Sequence, residues 1–306
     1  MFKKVTIIGF GLIGSSIGYA LKRSGQVNIV VAADKSEDVC QAALQYHLAD
    51  EAITNLRDAV ADAEIVILAV PVGAMSIVMK GIAPFLEEGA IVTDTGSVKG
   101  AVAKTIMSHL PEGVAYVPAH PIVSLEDTNP LVSLSEPLKD QWVVLTPLPE
   151  TPLRSVEKAT YIWELCGTKI DILSTEHHDG VLAVTSHLPR LLAYTAMQTA
   201  INLEEDIKSE VIQYSASGMK DLSHLIAANP SIWADVFLDN KGAILESLEH
   251  FVENLTSLQN AIRHDDKDYL HKTFSDTRKI GRVIIEQEQE SSQDVSGQKM
   301  LYEANE

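Results

Sequence analysis

Over the first 150 positions, apolar residues come in short β-branched runs, each followed by a stretch with apolar residues three and four apart. The runs are VTIIGF at 5–10, NIVVAAD at 28–34, EIVILAV at 64–70 and AIVTDT at 90–95. Continuous apolar runs of this length predict strands buried on both faces. The amphipathic stretches between them predict helical crossovers, and together these give a mostly parallel sheet. Two more runs, VAYVPAH at 114–120 and QWVVLTP at 141–147, are expected to extend that sheet. A long polar loop with Pro121, Pro130 and Pro137 lies between them; such loops inside a compact domain are usually functional or disordered.

After TPLPETP at 146–152 the strand pattern fades, apart from TKIDIL at 168–173. The segments 176–201, 205–227, 231–263 and 265–290 carry helical spacing instead. The expected architecture is therefore α/β: an N-terminal doubly wound Rossmann domain over 1–170 and an all-helical domain over 171–290. A polar, acidic tail over 291–306 is expected to be poorly ordered. Long helices with an apolar face commonly bury one side in their own domain and another in a partner subunit, which fits a homodimer.

Composition narrows the class. Hydrophobic residues at 46% and charged residues at 22% describe an ordinary globular chain. A formal net charge of −18 repels nucleic acid and anionic lipid. A small anionic substrate would accordingly need a local basic pocket. The start, MFKKVTIIGFGLIGSS, mimics a signal peptide but reads as a glycine-punctuated strand feeding a helix. No apolar run is long enough to span a membrane. Cys40 and Cys166 have no metal-ligand spacing, and two such thiols fit a reducing, cytoplasmic setting as buried, inert groups.

The strongest local signal is Gly9-Phe10-Gly11-Leu12-Ile13-Gly14, which ends one strand and opens a helix, with Asp34 ending the next strand twenty residues on. In this arrangement Gly9 allows the tight turn, Gly11 admits a pyrophosphate to the backbone and Gly14 lets helix and strand approach. Leu12 and Ile13 then offer helix N-terminal amides to that pyrophosphate. Asp34 is placed to accept from ribose hydroxyls and to repel a 2′-phosphate, which favours NAD over NADP. The neighbouring Lys35 pulls slightly the other way.

Three polar clusters fall at strand ends or helix starts: DTGSVKG at 94–100, PAHPI at 118–122 and EHHDGVLAVTSHLPRLLAY at 176–194. Ligands of open α/β sheets collect at the carboxyl ends of the strands, so the first two clusters belong beside a nicotinamide. Oxidising an alcohol needs a group that takes the hydroxyl proton, and histidine suits that task near neutral pH. His120 is the candidate, with Ser97 sharing the hydrogen bond. Asp179, Ala183, His187, Arg190 and Tyr194 recur at helical spacing on roughly one face, and Pro189 interrupts the ladder there. His187 is read either as a packed helix histidine or as part of the site. His177 and His178 are expected at the surface or at a helix start, and no metal site is expected.

Together, IIGFGLIGSSIGYALK, ILAVPV, DTGSVKG, HPI and HDGVLAVTSHLP resemble the prephenate and arogenate dehydrogenase family of tyrosine biosynthesis, and NPSIWADVFLDNK at 229–241 resembles its helical domain. The resemblance implies a dinucleotide domain joined to a helical dimerisation domain and the oxidative decarboxylation of a cyclohexadiene with NAD or NADP. It places Ser97, His120 and His187 in catalysis and brings Val70 and Pro71 to the cofactor. Three positions depart from the family pattern. Ser124 stands where glycine follows the histidine–proline pair, Arg190 stands where a second histidine is usual, and His224 replaces the arginine expected on the substrate's side-chain carboxylate. A titratable imidazole is no equivalent of a guanidinium fork. Arg190 and Lys220 are the candidate replacement cations, with His224 and Ser124 lining the same pocket. A rearranged pocket leaves open a different hydroxy acid, or an NAD-binding sensor or scaffold without catalysis.

Overall fold

The computed structural model describes residues 1–123, 137–202, 210, 213–215 and 217–303. Its first six strands are β1 (Phe2–Ile8), β2 (Val27–Ala33), β3 (Glu51–Ile53), β4 (Ile65–Leu68), β5 (Ile91–Asp94) and β6 (Ala115–Val117). They form one parallel sheet in the order β3-β2-β1-β4-β5-β6. The crossovers are α1 (Leu12–Ser24), α2 (Glu37–Gln45), α3 (Leu56–Val60), α4 (Val72–Ile82) and α5 (Gly100–Met107). This is the doubly wound Rossmann order, whose direction reverses between β1 and β4 and opens a crevice at their carboxyl ends.

The strands read as unbroken apolar runs because both faces are covered. Val5, Ile7, Val30, Ile65 and Ile67 point into one core cluster, while Ile8, Val31, Val66 and Leu68 point into the other. Successive side chains on a strand alternate faces, so each run feeds two cores at once.

One sequence expectation is corrected here. VAYVPAH and QWVVLTP do not simply extend the large sheet. The first divides at Pro118 into β6 and β7 (Ala119–Ile122), and β7 pairs antiparallel with β8 (Trp142–Leu145), which pairs parallel with β9 (Lys169–Ile172). Proline has no N–H to give a ladder, so the chain leaves one sheet there and enters the next. The Pro118 carbonyl accepts from Thr146 N at 3.0 Å, which ties the crossing point to the second sheet. Helix α6 (Leu153–Leu165) covers this region with the fully buried Trp163.

The helical remainder comprises α7 (Thr175–Leu182), a π-helical turn over Ala183–His187, α8 (Leu188–Ile201), α9 (Ser217–Leu225), α10 (Pro230–Asp239), α11 (Lys241–Arg263) and α12 (Lys267–Glu303). Segment 231–263, expected as one helix, is two, broken at Asn240. Asn229 caps α10 by accepting from Ser231 N at 3.0 Å, with Pro230 opening the helix. Part of the 205–227 segment lies outside the described residues, and α12 runs on into the segment expected as a polar tail. The chain divides into two compact units, Met1–Ser247 and Leu248–Glu306. Every site residue discussed below belongs to the first. Among the described residues, no helix is long and apolar enough to cross a membrane.

Candidate active site

The glycine turn follows β1 at the sheet's reversal point. Gly9 has φ of +87°, and a side chain there would stand 2.6 Å from the Ala69 carbonyl and 2.7 Å from Val70 Cγ1, so both conformation and space demand glycine. A Cβ on Gly14 would fall 2.1 Å from the Gly9 carbonyl, which makes that glycine the condition for α1 to seat on the turn. A Cβ on Gly11 meets nothing within 4 Å. Gly11 is also the N-cap of α1, and no side chain caps that helix. The turn thus opens onto the uncapped N-terminal amides of α1, which suits a pyrophosphate.

Asp34 stands at the end of β2 as expected. Its Oδ2 accepts from Phe10 N at 2.9 Å and its Oδ1 from Ser36 N at 3.0 Å, so the carboxylate is locked to the glycine turn. A carboxylate has about four lone-pair positions, and two remain for ribose hydroxyls. Val70 and Pro71 form the β4–α4 turn across the crevice. The residues of this cleft fit a dinucleotide. Cys40 and Cys166 are both buried and free; burial pushes the Cys166 thiol up to about 12, which leaves it inert.

At the end of β5, Asp94 and Lys99 are completely buried. Lys99 Nζ donates to Asp94 Oδ1 and to the Ala119 carbonyl, each at 2.5 Å. Asp94 Oδ2 accepts from Tyr116 Oη at 2.6 Å. Burial lowers the ammonium from its ordinary value, and Asp94 opposes that shift. Burial and then Asp94 raise the Tyr116 phenol well above its ordinary value. This ion pair fixes the β5–α5 turn, which carries Ser97 half-buried with no hydrogen bond from its hydroxyl among the described residues. It also pins the backbone immediately before His120.

His120 on β7 is 9% exposed. Its Nδ1 lies 2.9 Å from His178 Nε2, and His178 Nδ1 lies 2.8 Å from Asp179 Oδ1. Asp179 also accepts from Lys99 N and Gly100 N, both at 2.8 Å, and so caps α5. Burial raises the Asp179 carboxyl, but the bonds from His178, Lys99 and Gly100 outweigh it and hold the group below its usual range. An ionised Asp179 accepts from His178 Nδ1–H, and His178 Nε2 then accepts from His120 Nδ1–H. That leaves the lone pair of His120 on Nε2. Burial, followed by Lys99, His178 and His187, lowers the His120 imidazole well below its ordinary value and keeps it a neutral acceptor.

Of the two places expected for His178, the surface or a helix start, the structure has the second: it lies in the first turn of α7, completely buried and hydrogen-bonded to His120, while His177 beside it is exposed. The cause is the helix phase. Ser174 caps α7 by accepting from His177 N at 3.1 Å, and the next two residues then face β7 and α5.

His187 is also completely buried. Asn240 Nδ2 donates to the Asp179 carbonyl at 2.8 Å and to His187 Nδ1 at 3.1 Å. Since an amide nitrogen only donates, His187 carries its proton on Nε2. Burial is the main force pulling this imidazole down, to about 4. Its ring packs edge-on against Trp233, with centroids 6.2 Å apart, and Phe237, at 6.5 Å. One turn further along α8, the Arg190 guanidinium carbon stands 3.4 Å from the Trp233 ring centroid. The π turn precedes Pro189 and so absorbs the break in the ladder that this proline imposes. Lys220 and His224 lie exposed on α9, and neither side chain has a hydrogen bond or ion pair among the described residues. Ser124 lies outside the described residues.

Two family models match this chain: the prephenate dehydrogenase nucleotide-binding domain over residues 17–172 and the prephenate dehydrogenase dimerization domain over residues 174–276. The chain belongs to the prephenate dehydrogenase family. It is 39% identical over 279 residues to a cyclohexadienyl dehydrogenase of Zymomonas mobilis, a match that spans 91% of this chain and 95% of that protein. A prephenate dehydrogenase of Bacillus subtilis is 25% identical across 88% of this chain and 73% of its own length. Among solved structures, the Aquifex aeolicus prephenate dehydrogenase in complex with hydroxyphenyl propionate and NAD+ superposes with a TM-score of 0.86 at 28% identity, covering 93% of this chain and 99% of that one. As a prephenate dehydrogenase family member the chain is an oxidoreductase, and the Rossmann order and NAD-type cleft agree with that membership. His178, Trp233 and Asn240 are the site residues that spacing alone did not single out; the signal available for His178 was its place directly before Asp179.

Proposed function

We propose that this chain catalyses the NAD-dependent oxidative decarboxylation of prephenate or arogenate, yielding 4-hydroxyphenylpyruvate or tyrosine. The observation that carries the assignment is the chain Asp179–His178–His120, which ends in an acceptor nitrogen on β7, just past the carboxyl end of β6. Gly9, Gly11, Leu12, Ile13, Gly14, Asp34, Val70 and Pro71 would hold NAD. When bound, its nicotinamide supplies the hydride acceptor.

The chain's own residues handle the proton and the charge. Ser97 orients the ring hydroxyl, and His120 Nε2 takes its proton as the hydride leaves the same carbon. The bond to the ring carboxylate then breaks, CO2 departs, and its electron pair completes the aromatic ring as a phenolate. His120 returns the proton to that oxygen, so the histidine finishes as it began. His187 supplies a neutral N–H donor close by, and Arg190 meets the substrate's anion, with the exposed Lys220 and His224 at the outer rim. Residues 1–170 serve the cofactor and 171–290 the substrate and dimer contact. The helical part forms a homodimer, supported by the exposed apolar Val252, Leu255, Phe274, Ile280 and Ile284 and by the match to a domain named for dimerization. The enzyme acts in the cytoplasm, a reading supported by its two free thiols.

The test mixes purified protein and NAD with prephenate or arogenate and follows NADH absorbance. Turnover with at least one substrate is expected, together with a loss of about 10²- to 10³-fold in kcat for His120→Asn. Binding of NAD with no turnover of either would replace the assignment with another hydroxy acid or a non-catalytic NAD binder.

A further inference from the structure

Three buried polar atoms along the start of α8 have no hydrogen-bond partner among the described residues: His187 Nε2, Arg190 Nε and Tyr194 Oη. Buried polar groups are ordinarily satisfied, so three orphans on one helix face are a ligand's worth of missing contacts. All three can be assigned as donors. Asn240 forces the His187 proton onto Nε2, guanidinium nitrogens only donate, and a tyrosine hydroxyl offers its proton. Trp233 joins the group, since it packs against both His187 and the Arg190 guanidinium.

We propose that His187, Arg190 and Tyr194, backed by Trp233, form a cationic cradle of three donors that selects a substrate side chain ending in a 2-oxo acid over one ending in an amino acid. This rests on the reaction assigned above and names which of its two substrates the site prefers. A 2-oxo acid presents two carboxylate oxygens and a keto oxygen, all acceptors, to three donors. An α-amino acid replaces the keto oxygen with an ammonium, which Arg190 repels, which leaves a donor of the cradle unpaired, and for which the cradle has no acceptor but the neutral Tyr194 oxygen.

Asp179 and the two carboxylates of α10 are turned to other surroundings. Asp179 is bound to His178, Lys99 and Gly100. Asp235 lies against Gly73 of α4, and Asp239 stands beside Asp235. Those two lie on the face of α10 opposite Trp233, Phe237 and Asn240 by helical phase.

The test compares kcat/KM for prephenate and arogenate under saturating NAD in the wild type, Tyr194→Phe and Arg190→Lys, with circular dichroism as the check on folding. The wild type is expected to favour prephenate by at least about tenfold, because a site that leaves polar groups unpaired with the wrong substrate discriminates strongly. Tyr194→Phe, which removes one donor and little else, should raise KM for prephenate by about tenfold while changing arogenate less, and so narrow the ratio. Arg190→Lys should weaken both through KM, since an ammonium does not reproduce the fork. Equal use of the two substrates, a preference for arogenate, or an unchanged ratio in Tyr194→Phe overturns the cradle while the reaction stands. Failure to turn over either substrate removes the reaction and the cradle with it.

Discussion

His178 never reaches the substrate in this arrangement, yet replacing it should slow the reaction more than its position suggests. Asparagine can keep a donor near the position of imidazole Nδ1, 2.8 Å from Asp179 Oδ1, but it ends too early to meet His120. The His120 Nδ1–H, now bonded at 2.9 Å, would lose its acceptor. Two costs follow. The imidazole no longer has one enforced tautomer, and the imidazolium formed when His120 takes the proton loses its link to the Asp179 charge. An orphaned buried donor costs about 1–3 kcal/mol, and each 1.36 kcal/mol in the barrier is about tenfold in rate. The expected loss in kcat for His178→Asn is therefore about 5- to 150-fold, with KM for substrate and NAD nearly unchanged. His178→Gln is the control, because its Oε1 reaches the place of Nε2 and can still accept from His120; it should keep activity within about tenfold of wild type. Steady-state rates by NADH absorbance across pH decide the matter. A kcat for His178→Asn within threefold of wild type, or a glutamine variant no better than the asparagine one, would refute the positioning role.

Three further outcomes follow from the same structure. Gly14→Ala drives a methyl to 2.1 Å from the Gly9 carbonyl, so α1 must shift; NAD affinity by titration should fall at least about tenfold, alongside a stability loss of about 1–3 kcal/mol. Lys99→Met leaves Asp94 buried without its cation, and urea unfolding should show a loss of about 3–5 kcal/mol; a loss below about 1 kcal/mol would contradict the buried pair. His187 titrates near 4 in the fold against about 6.5 when unfolded. The unfolded chain thus takes up a proton first as pH falls, and stability present above pH 6.5 declines towards pH 4 by up to about 3 kcal/mol. His187→Asn should flatten that part of the urea midpoint–pH curve, and an identical slope in both proteins would count against the assignment.

What could be read in advance was what is local. The Rossmann strands show as apolar runs because crossovers cover both faces of the sheet, and Gly9, Gly14 and Asp34 act within one βαβ unit, so spacing sufficed. The second sheet was hidden because strand propensity says nothing about which partner a strand takes. VAYVPAH contained the needed sign in Pro118, whose missing N–H ends β6 and frees β7 to turn toward β8. Reading 231–263 as one helix likewise concealed Asn240, because helical spacing continues across the break between α10 and α11.

The site divides along the same line, and the division explains its chemistry. Ser97 and His120 closely follow the carboxyl ends of β5 and β6, the side of an open α/β sheet where ligands collect, and topology alone marks such positions. The residues that set their protonation come from far along the chain: His178 is 58 positions from His120, and Asn240 is 53 from His187. Their contacts exist only after α7 and α10 have packed onto the Rossmann half. Asp179 is the junction of both sets. Its side chain orders His178 and, through it, His120, while its carbonyl takes one Asn240 proton and leaves the other for His187. One residue thereby makes His120 an acceptor toward the cleft and helps make His187 a donor. Those opposite polarities are what a substrate with a hydroxyl at one end and an acid at the other requires.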